Sequence, residues 1–179
     1  LRHQAFLRSA RFDRSGKAVL TSSSDGTAQL WDVESSQPAA PPLRHDSGVT
    51  VAIFSPDEHR VFAGTFNGGV SVWSTETGER LFQLPTDGRV NDLACSPDGR
   101  WIAAALTGTI QVWSAEDGKP GPTLRGEAGN LIRKLAFSQD SRRILGQSGS
   151  GSRVWDIATA APRSAILTHP DFWVFGADF

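Results

Sequence analysis

The chain repeats itself. Tryptophans at 31, 73, 113 and 155 are spaced by 42, 40 and 42 residues. Phe12, Phe54, Cys95 and Phe137, each opening a turn after an apolar run, recur at steps of 42, 41 and 42. Leu1-Arg2-His3 returns as Leu43-Arg44-His45, His169 stands at the corresponding later place, and Phe179 lies one more step beyond Phe137. Such a period constrains the fold more than composition does, because each copy is one supersecondary unit that buries its faces only against its neighbours. We read repeats over 1–44, 45–86, 87–126 and 127–168, with the opening strand of a fifth over 169–179. Because the chain starts in mid-repeat and contains no Met, we expect it to be a piece of a longer protein.

Within the repeat, the residues before the turn are apolar at consecutive positions. Ala10, Ala52, Leu93 and Leu135 come two before the reference position, and Arg11, Ile53, Ala94 and Ala136 one before. That pattern predicts a strand buried on both faces in most copies, as in a sheet held between other sheets. The reference residues Phe12, Phe54, Cys95 and Phe137, with Trp113 and Trp155, are therefore expected in the core. Turns follow at Asp13-Arg14-Ser15-Gly16, Ser55-Pro56-Asp57-Glu58, Ser96-Pro97-Asp98-Gly99 and Ser138-Gln139-Asp140-Ser141, with Pro and Gly where turn geometry favours them. Second strands are predicted over 18–23, 60–65, 101–106 and 143–148, and third strands over 27–31, 69–73, 109–113 and 152–155. The dipeptides between them, Asp25-Gly26, Asn67-Gly68, Thr107-Gly108 and Ser150-Gly151, suit the primed turns of tight hairpins. Prolines 38, 41, 42, 120, 122 and 162 collect in the fourth strand. Proline donates no ladder hydrogen bond, so this strand belongs at the sheet edge. Each repeat is then a four-stranded antiparallel meander, and the fold class is all-β.

Composition narrows the function. With 18 basic and 19 acidic residues the net charge is −1, and no basic stripe invites a phosphate backbone, so no nucleic-acid partner is expected. No window approaches the ~20 apolar residues of a membrane helix, and residues 1–14 are too charged for a signal peptide. We expect a cytoplasmic protein with no membrane partner. The single Cys95 excludes an internal disulfide. His3, His45 and His169 are related by the repeat and so belong to different sheets. Packed sheets lie ~10 Å apart and zinc–nitrogen bonds are ~2 Å, so these histidines do not share a metal ion. No Gly-rich phosphate loop, Gly-x-Ser-x-Gly or His-Glu-x-x-His motif occurs. No catalytic residue, metal or cofactor is expected.

Four short strands per repeat, the third closing on Trp31-Asp32 or Trp155-Asp156, resemble the WD-repeat family of β-propellers. Phe54-Ser55-Pro56-Asp57, Ser96-Pro97-Asp98-Gly99 and Ser24-Asp25-Gly26-Thr27 match its turns. The resemblance implies four propeller blades forming an open arc of a larger ring, usually of about seven blades. It also implies a structural tetrad of His, Ser or Thr, Asp and Trp. In the first repeat these are His3, Ser23 (or Thr21), Asp25 and Trp31; in the second, His45, Thr65, Asn67 and Trp73, with the acid replaced. The third and fourth repeats depart, with Ala105 and Thr107, then Ser148 and Ser150, so packing should hold them. Segments 37–45 and 119–124 look like linkers of bacterial WD-repeat proteins, where such arrays are often attached to protein kinases or other signalling domains. Bacterial propellers with Ser-Pro-Asp-Gly turns but no Trp-Asp are the next resemblance, and four tryptophans in register argue against it.

Polar residues at the start of the inner strands, Arg8, Thr50, Asn91, Asp92, Arg133 and Lys134, are the candidate binding rim, because loops on rigid scaffolds carry recognition. The expected function is a non-catalytic protein–protein interaction scaffold, with a regulatory propeller attached to a signalling enzyme such as a serine/threonine kinase as the alternative. Bare blade edges are expected to promote self-association of the isolated chain.

Overall fold

The computed structural model describes residues 2–149, 151–165 and 167. The fifth opening strand expected over 169–179, together with His169, lies outside the described residues. Strands β1 (Leu7–Phe12), β2 (Ala18–Ser23), β3 (Thr27–Asp32) and β4 (Leu43–Arg44) form the first sheet. The second holds β5 (Val49–Phe54), β6 (Arg60–Thr65), β7 (Val70–Ser74) and β8 (Arg80–Leu84). The third holds β9 (Asp92–Cys95), β10 (Trp101–Ala105), β11 (Thr109–Ser114) and β12 (Pro120–Arg125). The fourth holds β13 (Ile132–Phe137), β14 (Arg143–Ser148) and β15 (Gly151–Asp156). Every sheet is an antiparallel meander in chain order, as the repeat pattern requires.

The prolines act where expected. β4 is two residues long, and beyond it the first sheet's edge is held by a bridge from Trp31 to Pro38. In the fourth sheet the outer edge carries, among the described residues, bridges from Trp155 to Pro162 and from Ser152 to Leu167.

The turn between the first two strands is a side-chain device. The Ser96 hydroxyl donates to Asp98 Oδ1 (2.6 Å) and accepts from Trp101 N–H (2.9 Å), while Asp98 Oδ1 accepts from Arg100 N–H (3.0 Å). Ser138 and Asp140 do the same in the fourth sheet, and Ser55 and Asp57 in the second. In the first sheet the residues exchange places: Asp13 accepts from Ala18 N–H, and Ser15 accepts from Lys17 N–H while donating to Asp13. The swap keeps every bond.

The next turn differs from the sequence expectation. A type I′ turn needs positive φ at both central residues. Among the residues of these turns, Gly26, Gly68, Gly69, Gly108 and Gly151 have it, while Asp25 and Asn67 do not. The β2–β3 loop is three residues, Ser24 to Gly26, closed by Gly26 N–H to Ser23 C=O at 3.3 Å. The Asp25 carboxylate accepts from Thr27 N–H at 3.0 Å, so the aspartate serves the backbone with its side chain and leaves the left-handed position to glycine.

The described chain divides into two compact units, one ending at Val90 and the other beginning at Asn91. In the first unit, Leu20, Ala28 and Leu43 of the first sheet pack on Val49, Ala52, Val61 and Ala63 of the second, with Phe54 and Trp73 against them. In the second unit, Ala103, Ile110, Val112 and Leu124 of the third sheet pack on Ile132, Phe137, Ile144 and Trp155 of the fourth. Seams of this kind exclude water from apolar faces and supply most of the folding free energy. Both carry the same polar staple: the Ser9 hydroxyl accepts from Ala52 N–H (3.2 Å), and Asp92 Oδ2 accepts from Leu135 N–H (3.0 Å).

The core expectation fails for Phe12. Burial of both strand faces holds for β5 but not for β1, and Phe12 is 67% exposed. Its register mate Phe54 is half-buried against the cluster that joins the first two sheets, whereas no earlier sheet covers Phe12 among the described residues. Cys95, like Phe54, is half-buried.

Candidate functional site

Two arrangements could carry function: a polar relay in the first sheet and the starts of the inner strands. In the relay, Trp31 Nε1–H donates to Thr21 Oγ1 at 2.7 Å, and Thr21 Oγ1 lies 2.7 Å from His3 Nε2. His3 Nδ1 faces Asp25 Oδ2 at 3.2 Å and Thr27 Oγ1 at 3.0 Å. With the carboxylate ionised, Nδ1 carries the imidazole proton and Nε2 accepts from the Thr21 hydroxyl, a tautomer assigned from this network. Burial raises the Asp25 pKa, but the Thr27 hydroxyl and the N–H groups of Gln4 and Thr27 outweigh it and bring the carboxyl down to about 2.

The order hydroxyl, imidazole, carboxylate is that of a nucleophilic triad. The environment opposes that use. Thr21 is 2% exposed and its oxygen is already occupied by the Trp31 indole, so no substrate carbonyl reaches it. The relay satisfies buried polar groups and locks the sheet. Thr21, not Ser23, is the hydroxyl in it; Ser23 Oγ accepts from Asp25 N–H at 3.2 Å.

The other tryptophans solve the same problem differently. Trp73 Nε1–H donates directly to His45 Nε2 at 3.1 Å, with the rings edge-on at 5.3 Å. Thr65 turns its hydroxyl to Gly68 C=O (2.5 Å) and Asn67 is exposed, so neither joins that pair. In the fourth sheet Trp155 Nε1–H reaches the Arg125 carbonyl at 3.3 Å. A backbone acceptor has no sequence signature, and sequence reasoning could not have named it. Trp113, on β11, is buried.

The inner-strand starts are shaped by bulges. Register slips between Leu7 and Ser9, Val49 and Val51, and Ile132 and Lys134. The extra residues are Arg8, Thr50 and Arg133. A bulge re-aims the side chain of the inserted residue, and the repeat places one at the same point of each of these strands. The rim residues then diverge. Arg8, Arg133 and Lys134 are exposed. Thr50 is buried and donates to Gly64 C=O at 3.0 Å. Asp92 is 4% exposed, staples β13 through Leu135 N–H, and sits 3.8 Å from Lys134 Nζ. The Asn91 amide nitrogen is buried and has no hydrogen-bond partner among the described residues. No group of three or more potential metal ligands occurs among the described residues.

The family model described as WD domain, G-beta repeat matches residues 1–32, 42–74 and 78–114. The chain belongs to this WD-repeat family. The fourth sheet lies beyond the matched spans and keeps the meander of the other WD repeats. The chain is 29% identical over 176 residues to the protein LST8 homolog of Drosophila pseudoobscura pseudoobscura, covering 93% of this chain and 56% of that one. It is 24% identical to the small ribosomal subunit protein RACK1 of Caenorhabditis elegans, covering 89% and 53% respectively. Human apoptotic protease-activating factor 1 is 28% identical over 152 residues, 80% of this chain and 12% of that much longer protein. This WD-repeat chain thus spans about half the length of the first two relatives.

Proposed function

We propose that this WD-repeat chain is a non-catalytic scaffold that presents the starts of its inner strands to a protein partner. The observation that carries the reading is the recurring bulge, which places Arg8 and Arg133 outward at equivalent points of two rigid sheets. Rigid strands on either side fix where those side chains stand, which lowers the ordering cost of recognition. The most elaborate polar constellation, around His3, is consumed by structure, and this too favours binding over chemistry.

The test is partner capture from a lysate of the source organism on immobilised chain, identified by mass spectrometry. The variant Arg133→Gln/Lys134→Gln and the variant Arg8→Gln should each lose discrete partners while melting as the unaltered chain does. A recovered protein set indifferent to all of these substitutions rejects the reading, as does turnover of a substrate by the purified chain.

A second arrangement has its own support. The match to 12% of a much longer human protein shows that arrays like this one occur as parts of larger chains. A regulatory array attached to a signalling enzyme, such as a serine/threonine kinase, is the corresponding proposal. Kinase Gly-rich and catalytic-loop motifs in the flanking gene sequence would establish it, and their absence there would reject it.

A further inference from the structure

The first unit holds a feature that its packing does not require. Phe66, in the turn after β6, carries two guanidinium groups over its ring: Arg8 at 4.9 Å and Arg89 at 4.6 Å from the centroid. One cation over an aromatic face is common and modestly favourable. Two gather like charges around a single ring, and neither arginine is paired with a carboxylate among the described residues. Both arginines are exposed, and the ring is half-buried.

Each member is held by a separate structural device. Arg8 is the inserted residue of the β1 bulge, and its Nε–H donates to the Ser24 hydroxyl at 2.6 Å. That bond fixes the guanidinium and leaves its outer N–H edge open. Phe66 N–H bonds to Gly48 C=O at 3.0 Å, and the ring lies so close to Gly48 that a Cβ there would meet its Cδ2 at 2.8 Å. The ring therefore stands where the absence of a side chain at residue 48 admits it. Arg89 precedes Val90, which is fully buried and donates its N–H to Thr65 C=O at 3.1 Å, tying this strand entry to the Phe66 turn.

We propose that Arg8, Phe66 and Arg89 form a clamp for an acidic peptide segment of a protein partner. The proposal rests on the scaffold reading and names the chemistry of one of its docking points. Each guanidinium fork takes one carboxylate in a bidentate pair, and the edge of the ring receives an apolar side chain lying between the two acids. Residues alternate in direction along an extended segment and repeat on one side every ~7 Å, so acids two apart present their carboxylates together. Two cations suit a short anionic segment. A nucleic-acid strand needs a longer run of phosphate contacts, which a chain of net charge −1 does not offer around this point.

The probe is a fluorescein-labelled peptide alternating glutamate and leucine, titrated with the purified chain and followed by anisotropy. Its glutamine counterpart and a single-stranded oligonucleotide of equal length run beside it. The glutamate peptide should bind and the glutamine peptide should not. Arg8→Gln and Arg89→Gln should each weaken binding about tenfold, as expected for loss of a charge-assisted pair, and the double variant should abolish it. Arg89→Lys keeps the charge but loses the fork, and should weaken binding as well. Arg142→Gln, an exposed arginine of the second unit, changes net charge equally and should leave affinity unchanged. Melting curves within a few degrees of the unaltered chain show that the variants fold. Four outcomes overturn the clamp: no peptide binding, equal binding of both peptides, a double variant that binds normally, or tighter binding of the oligonucleotide. If partner capture survives Arg8→Gln/Arg89→Gln in a chain that ignores the acidic peptide, the clamp fails and the scaffold reading stands. If no partner is captured at all, the scaffold reading itself fails.

Discussion

Three indoles, those of Trp31 and Trp155 buried and that of Trp73 half-buried, pose one demand and receive three answers. Trp31 donates to a threonine hydroxyl, Trp73 to an imidazole nitrogen and Trp155 to a backbone carbonyl. Each avoids the penalty of an unpaired buried donor, but the answers differ in what acid does to them. Nε2 of His45 accepts a hydrogen bond, so it must be unprotonated while the bond stands. Burial lowers the His45 pKa from 6.5, and Arg80 adds to the shift, while the carbonyls of Gly26 and Leu43 and the Asp46 carboxylate oppose it. The unfolded chain, with the ordinary value, takes up a proton more readily than the folded one. The contribution of His45 to stability is therefore complete above about pH 6.5 and is lost as pH falls through the folded value. Urea unfolding between about pH 7.5 and pH 5 should show a steeper loss for the unaltered chain than for His45→Gln. The glutamine carbonyl still accepts the Trp73 proton and does not titrate. Parallel losses in the two proteins would show that the imidazole is not the titrating group. The pairing of His45 with Trp73 was legible in the period. Its directness was not, because Thr65 looks like an intermediary until its hydroxyl is seen turning to Gly68.

At the scale of the element, the turn between first and second strands shows how much a pattern reveals and where it stops. Serine, aspartate and the return strand were all readable, since turn chemistry favours those residues, and the exchange of Asp13 and Ser15 is visible as a swap in sequence. Its backbone demand is less obvious. The fourth turn position is left-handed in every repeat: Gly16 (φ 73°), Glu58 (62°), Gly99 (73°) and Ser141 (58°). Two repeats tolerate a side chain there because it reaches the preceding sheet. Glu58 accepts from Arg14 N–H, and Ser141 Oγ accepts from Asp98 N–H at 3.1 Å. A Cβ on Gly99 would meet nothing within 4 Å, so Gly99→Ala isolates the conformational cost from any clash. It should destabilise the chain by about 1 kcal/mol in urea unfolding. No change would mean that the turn relaxes, and a loss above about 3 kcal/mol would mean that a packing contact is at stake. The primed-turn expectation failed at Asp25-Gly26, Asn67-Gly68 and Thr107-Gly108 for a related reason, while Ser150 of the fourth dipeptide lies outside the described residues. A dipeptide ending in Gly specifies one left-handed residue, and only the backbone shows whether its predecessor is left-handed too.

For the whole molecule, a repeat sequence states which faces are apolar but not what covers them, because the cover is always another repeat. Phe12 and Phe137 hold the same place in the period, yet Phe12 is 67% exposed and Phe137 is 7%. The difference lies in the neighbour, not in the residue. At the other end of β1 the chain exposes Phe6 and Leu7, and Val33 follows β3 with nearly half its surface open. Exposed apolar side chains of this kind favour association wherever a complementary face is available, and among the described residues β1 has a strand partner on one side only. The purified chain should accordingly show a mass in sedimentation velocity that rises with concentration. Phe6→Ser/Phe12→Ser should lower that mass, and it should do so at little cost in folding, since exposed apolar side chains contribute to stability only within about 0.5 kcal/mol each. A chain that sediments as a monomer at every concentration would show that this face is harmless in water. A double variant that unfolds would show instead that the face is packed, which would place Phe12 back in a core that the exposed β1 surface argues it has left.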